Sequence, residues 1–236
     1  MNGFTIRAAT QDDLARIHEW LTEEHEANDG ASFLCNFALI GSGQTNGSLF
    51  ALVRDSDSLP VAFSLGDGNV DILAVHHRMR RQGFGRYLAK HAIDHALSRD
   101  LIGLYVECAP ITSKPFWLSL GFTPVQSPRR IDNLNWVALP LPHDNELPNA
   151  PKSDVVISCS SNSKDWSDPF ETQGVIEDGL IQLARDFSFY NAHYYDTLLK
   201  IVLDGTELYC DKAKYLRDNG LDFDSPWIRV RSVRIG

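Results

Sequence analysis

The chain has 236 residues, of which 43% are hydrophobic and 22% charged. These values match soluble globular proteins and exclude both a disordered chain and a fibrous repeat. Lys and Arg number 22 against 31 Asp and Glu, and the resulting net charge of −9 has the wrong sign for gripping nucleic acid by general electrostatics.

Phe4 to Arg7 predicts a short strand. Thr10-Gln11-Asp12-Asp13 supplies an N-cap and an acidic first turn for a helix running towards Glu26, with Leu14, Ile17 and Leu21 at helical spacing. Gly41 to Gly47 has no lysine after its glycines and reads as a loop, one placed to shape an acceptor entrance. Ser48 to Arg54, Val61 to Leu65 and Val70 to Val75 predict three strands. They are divided by Asp55-Ser56-Asp57-Ser58 and by Gly66-Asp67-Gly68, so a meander is expected.

A helix follows from about Phe84 to Ser98, then a strand from Leu101 to Glu107. This βαβ order predicts parallel neighbours for the strands on either side of the helix. A short helix near Lys114 to Leu120 and strands near Phe122 to Val125 and Asn135 to Leu139 complete the first part. Pro140, Pro142, Pro148 and Pro151 then mark a linker, which predicts one domain over 1–141, a linker over 142–153 and a second region over 154–236.

Beyond the linker, Asp154 to Cys159 predicts a strand. Val175, Ile176, Leu180, Leu183, Ala184 and Phe187 suit an amphipathic helix, and Tyr190, Tyr194, Leu198, Leu199 and Val202 suit another ending at Gly205. Thr206 to Asp218 suits a third, closed by Gly220. Trp227 to Ile235 predicts a final strand whose Arg229, Arg231 and Arg234 form a solvated edge. The expected second region is therefore small and mostly helical, and its aromatic run from Phe187 to Tyr195 packs on its own core or on a partner, by which it would bind another protein or self-associate.

The residues richest in chemistry follow the strand Leu73-Ala74-Val75. Arg80-Arg81-Gln82-Gly83-Phe84-Gly85-Arg86 carries two glycines one residue apart at the start of a helix, where free N–H groups and the helix dipole favour an anion. The segment lacks the GKS or GKT ending of a nucleotide-triphosphate loop and the third glycine of a dinucleotide fingerprint. Arg80-x-x-Gly83-x-Gly85 resembles the signature of the GNAT family of acetyl-CoA-dependent N-acetyltransferases, which is Gln or Arg, two residues, Gly, one residue, then Gly or Ala. Leu73-x-Val75 before the loop and Phe116 to Phe122, ending in Gly121-Phe122, extend the likeness over residues 4–141.

The resemblance implies a mixed α/β acyltransferase fold, acetyl-CoA as cosubstrate, and an amine of a small molecule or protein attacking the bound thioester. It implies that Leu73, Ala74 and Val75 bind the acetyl and pantetheine portion, that Arg80, Arg81, Gln82, Gly83, Phe84, Gly85 and Arg86 hold the diphosphate, and that Trp117 contacts the cofactor where the family usually has tyrosine. The Val75 N–H is the candidate donor to the carbonyl oxygen. Asp71 and Glu107, on or beside the flanking strands, are the candidate catalytic bases. A binding sensor without turnover, or an acetylating toxin or defence component, is the alternative function.

Other constellations carry less chemistry. His91 and His95 lie four apart but off the stripe of Leu88, Ala89, Ala92, Ile93, Ala96 and Leu97, so they read as a solvated face and not a metal site. His76 and His77 read as exposed at the strand's end, with proton transfer as their functional alternative. Cys35, Cys108, Cys159 and Cys210 show no paired spacing, so reduced thiols and no metal are expected. With no leader pattern and no long apolar run, the expected location is cytoplasmic, without a membrane partner.

Overall fold

The computed structural model describes residues 1–27, 32–67, 69–125, 135–160, 166–190, 196–216, 221–224 and 226–235. It divides into two compact units, Met1–Arg99 and Asp100–Gly236. Among the described residues, no helix is long and apolar enough to cross a membrane.

The first unit is built on an antiparallel sheet in which β1 (Phe4–Ala8), β2 (Leu49–Arg54), β3 (Leu59–Leu65) and β4 (Ile72–Val75) pair in chain order. The meander is as expected, though Gly68 in its last turn lies outside the described residues. α1 (Gln11–Ala27) begins in a reciprocal cap: the Asp13 N–H donates to Thr10 Oγ1 at 3.2 Å and the Thr10 N–H donates to Asp13 Oδ2 at 2.8 Å. Such a cap satisfies two amides that a helix start would otherwise leave bare. One side of the sheet buries Phe63, Leu65 and Ile72 beneath Ile17, Trp20 and Leu21 of α1 and Ile40 of α2 (Phe37–Asn46). The other side packs Leu52, Val61 and Ala62 against Phe84 and Leu88 of α3 (Phe84–Ser98).

The expected loop at Gly41 to Gly47 is instead largely the second half of α2, which closes at left-handed Gly47. Gly43 explains why glycine sits inside a helix. A Cβ there would stand 2.0 Å from Leu65 Cδ1, so the missing side chain lets α2 settle on β3.

In the second unit, β5 (Gly103–Glu107) pairs with β7 (Trp136–Pro140), which pairs with β6 (Thr123–Val125), all antiparallel. α4 (Lys114–Leu118) precedes β6. β4 takes its ladder from β3 and β5 takes its ladder from β7, so the expected parallel β4–β5 pairing is not among the ladders of the described residues.

The mostly helical second region is overturned. Residues from Lys152 onward form a seven-stranded antiparallel sheet: β8 (Lys152–Ser160), β9 (Phe170–Glu177), β10 (Leu180–Tyr190), β11 (Leu198–Leu203), β12 (Thr206–Lys212), β13 (Leu221–Asp224) and β14 (Trp227–Arg234). The strand order is β12-β11-β8-β9-β10-β14-β13. The apolar residues assigned to the first helix straddle a hairpin, with Asp178 and Gly179 at φ 50° and 75°. Those assigned to the second run into another hairpin, with Asp204 and Gly205 at φ 47° and 80°. Asp-Gly with both φ positive is the turn whose twist matches paired strands, and that dipeptide was the local signal against a helix. The third helix is β12 followed by a single 3₁₀ turn at Ala213–Tyr215. Tyr194, Gly220 and the aromatic run beyond Tyr190 lie outside the described residues, while Phe187 and Phe189 are buried in this sheet's own core with Ile181, Leu183, Leu199 and Ile201.

Of the three β14 arginines only Arg234 is exposed as expected; Arg229 and Arg231 are held in ion pairs, and β13 covers β14 over 227–230. Arg229 is 6% exposed and donates to Asp100 Oδ1 at 2.9 Å; Arg231 donates to both Asp100 oxygens at 2.7 Å and to fully buried Asp186 at 3.3 Å. β10 bulges between Gln182 and Phe187, and the bulge pairs with the proline-rich segment: the Asn145 N–H donates to Ala184 O and the Asp186 N–H to His143 O, both at 2.8 Å. Buried charges persist only when paired in this way.

Candidate functional site

The site is built at the end of β4. The His76 N–H donates to Val61 O at 3.0 Å, in register with the β3–β4 ladder. Antiparallel ladders alternate hydrogen-bonded and non-hydrogen-bonded pairs, so Val75 opposite Ala62 and Leu73 opposite Ser64 are non-hydrogen-bonded. The main-chain groups of Leu73 and Val75 consequently point away from β3. Ala74 faces the α1 side of the sheet, whereas Leu73 and Val75 face the α3 side.

After a short 3₁₀ turn at His77–Met79, the chain passes through Arg81 at φ 64° and Gly83 at φ 87° into α3. These left-handed residues turn the strand end into the helix start. The Tyr87 N–H donates to Gly83 O at 3.0 Å, so the amides of Phe84 and Gly85 precede the first bond of the helix, at its positive end. A Cβ on Gly83 would meet only Met1 Cε, at 3.6 Å. The turn is therefore uncrowded on that side of Gly83.

Behind the loop lies a polar cluster that sequence reasoning missed. Arg80 Nη2 donates to Glu24 Oε1 at 2.7 Å, and His77 Nδ1 lies 3.6 Å from the same oxygen. Glu24 is 7% exposed on α1, next to Trp20, whose ring meets His76 edge-on with centroids 5.1 Å apart. A carboxylate on the stripe of Ile17, Trp20 and Leu21 was the available signal, because an acid in an apolar stripe demands a buried partner. His76 Nδ1 accepts the Arg78 N–H at 3.2 Å, and burial, then neighbouring His77, pulls the His76 imidazole below its ordinary value. His76 is thus half-buried while His77 is exposed as expected.

Leu73, Ala74, Val75 and residues 80–86 therefore come together within the first unit. Asp71 does not join them: it precedes β4 at the opposite end from Val75, four residues or roughly 13 Å away along a strand. In the second unit, Glu107 ends β5 opposite Trp136 and is exposed. Trp117 of α4 is 5% exposed and meets Phe116 and Phe122 edge-on. Beside Glu107, burial pushes the Cys108 thiol up, which makes it a poor nucleophile. His91 and His95 are not a solvated face. Both are half-buried against Phe50, 4.9 and 5.1 Å from its ring centre, and burial, then His95, lowers the His91 imidazole. Among the described residues, no three His, Cys, Asp or Glu side chains cluster as metal ligands.

A strand end, a left-handed turn and a helix start, on a sheet covered by helices on both sides, define an α/β domain with a glycine-containing loop at the strand's end. Residues 43–141 match the model of the family described as the acetyltransferase (GNAT) domain, and this part of the chain is a GNAT acetyltransferase domain. No curated protein matches the chain.

Among solved structures, the chain is similar to N-acetylglutamate synthase from Neisseria gonorrhoeae complexed with coenzyme A and N-acetyl-glutamate, at 14% identity and a TM-score of 0.45 over 58% of this chain. The match spans 35% of that protein. The ribosomal-protein-S18-alanine N-acetyltransferase of Escherichia coli is 22% identical over 58% of this chain and 93% of its own, with a TM-score of 0.44. A GNAT-family acetyltransferase of Staphylococcus aureus is 12% identical over 58% and 98%, with a TM-score of 0.46.

Proposed function

We propose that the protein is an acetyl-CoA-dependent N-acetyltransferase that transfers the acetyl group directly to an amine of a small molecule or protein. The observation that carries this reading is the turn from Arg80 to Gly85, with its open side at Gly83 and its amides at the start of α3, inside a GNAT domain. Phe84 and Gly85 donate their amides to the diphosphate, and Arg81, Gln82 and Arg86 line it. Leu73, with its main-chain groups turned away from β3, hydrogen-bonds the pantetheine arm as an added strand would, alongside Ala74, while Val75 lies at the acetyl end.

The thioester supplies an activated acyl group. The Val75 N–H stabilises the charge that develops on its carbonyl oxygen. Glu107 is the proposed acceptor of the amine's proton, with Asp71 as the alternative candidate. Trp117 contacts the cofactor but does not protonate the departing sulfur, since an indole N–H is no acid at neutral pH. With a thiol pKa of roughly 8.5, the thiolate leaves with water's assistance.

The test joins calorimetry with acetyl-CoA to thiol release over a panel of amines and lysine peptides. Binding at micromolar affinity, on the order of 8 kcal/mol, together with acceptor-dependent release is expected. No binding by the folded protein refutes the proposal. The nearly buried Trp117 favours a second reading, a sensor that binds acetyl-CoA without turnover, and binding with no release from a broad panel selects it.

A further inference from the structure

Arg80 opens the signature, yet its guanidinium turns back from the helix start. Its Nε donates to Val75 O at 3.0 Å and its Nη2 donates to Glu24 Oε1 at 2.7 Å. One side chain thus joins the last residue of β4 to a carboxylate on α1 that lies 56 positions earlier in the chain. Val75 is the residue whose N–H points outward, and Arg81 begins the left-handed turn immediately after Arg80.

We infer that Arg80 and Glu24 are a positioning pair: they hold the end of β4 and the turn after it, so that the Val75 N–H and the amides from Gly83 to Gly85 converge on the cofactor. The inference rests on the proposed binding of acetyl-CoA. Two physical arguments carry it. Arg80's charge is matched by a carboxylate with little access to water, so its net attraction for a diphosphate is small, while a charge-assisted bond to a main-chain oxygen fixes direction as well as distance. Removing Arg80 takes a direct ion-pair partner from Glu24, which is only 7% exposed, and removing Glu24 frees the half-exposed guanidinium from the geometry that holds it on Val75 O.

The experiment compares wild type with Glu24→Leu, Glu24→Gln, Arg80→Gln, the double variant Glu24→Leu/Arg80→Gln, and Arg81→Gln, titrating acetyl-CoA by calorimetry at low and high salt. Glu24→Leu is expected to weaken binding about tenfold, although it removes a negative charge near an anionic ligand. Glu24→Gln, which keeps an acceptor oxygen, recovers part of that loss. Arg80→Gln weakens binding similarly, the double variant is no worse than the poorer single, and the salt dependence of Arg80→Gln matches wild type. Arg81→Gln, by contrast, flattens it, because an exposed charge acting on the ligand is screened by salt.

Unchanged or tighter binding by Glu24→Leu overturns the inference, as does a flattened salt dependence in Arg80→Gln. Hydrogen exchange of the unliganded protein separates this outcome from failure of the functional reading. Faster exchange of the Met79 and Tyr87 amides, which donate to His76 O and Gly83 O at the two ends of the turn, in Glu24→Leu and Arg80→Gln, with β8 to β11 unchanged, supports positioning even if wild type binds no acetyl-CoA. Unchanged exchange in the loop overturns it. Should Glu24→Leu fail to fold, the half-exposed Arg80→Gln carries both measurements.

Discussion

Replacing Gly83 by alanine separates what the left-handed turn does for folding from what it does for the ligand. Gly83 has φ 87° and ψ −4°, and an added Cβ would meet nothing nearer than Met1 Cε at 3.6 Å. The folded protein therefore bears only the backbone cost of a left-handed alanine, about 1–2 kcal/mol. For a chain of this length, that corresponds to a fall in Tm of roughly 2–8 °C. Gly47, at φ 80° with nothing within 4 Å of its Cβ position, is a matched control at the end of α2. Gly47→Ala should lose comparable stability and keep its affinity for acetyl-CoA. Gly83→Ala should also lose affinity, because relaxing the strain misdirects amides whose bonds to a charged phosphate are each worth about 1.5–3 kcal/mol. Calorimetry should read a weakening of about tenfold or more. Equal affinities in the two variants, or an equal loss in both, would refute the assignment of this turn to the diphosphate.

Three further outcomes are expected. Glu107→Gln should lower turnover by about a hundredfold or more with acetyl-CoA affinity unchanged, while Asp71→Asn changes turnover little; comparable losses from the two would contradict the choice of base. Gly103→Ala sets a Cβ 2.3 to 2.5 Å from three ring atoms of Trp227, and urea unfolding should register a loss of about 1–3 kcal/mol that an added Trp227→Leu partly restores. An unshifted midpoint would mean that the indole yields freely.

The last concerns pH. Burial alone would raise the Asp13 carboxyl, but Arg7's hydrogen bonds and those of the Thr10 N–H and hydroxyl outweigh it and hold the group below its ordinary value. A depressed folded pKa contributes stability that is present above the unfolded value, about 3.9, and is lost as pH falls through the folded one. Wild type should therefore lose its advantage over Asp13→Asn as the solution is acidified below about pH 4. Parallel pH profiles for the two proteins would rule this out.

The first part of the chain was legible because its signals are local. The Thr10–Asp13 cap, the strand from Leu49 and the helix from Phe84 each lie within a few residues of the features that specify them. The loop from Arg80 to Gly85 is contiguous, so its turn and helix start could be read before any fold existed. The second region misled because Val175, Ile176, Leu180 and Leu183 satisfy a helical spacing across what is really a turn. Leu183 and Ile181 alternate on the buried side of a strand, and Asp178-Gly179 and Asp204-Gly205 outweigh the helical pattern once neighbours such as β8 and β14 pair with their strands.

By itself, then, the sequence determined the GNAT signature, the elements around it and the position of the glycine turn before α3, since these depend on residues adjacent along the chain. Only the tertiary structure decided that Arg80 turns back to Glu24, that Arg229 and Arg231 close on Asp100 across about 130 positions, and that the last eighty residues form a sheet. The physical reason is the same in each case: a charge takes the partner that the fold brings near it, and a strand takes its identity from the strand beside it, and neither neighbour is close in sequence.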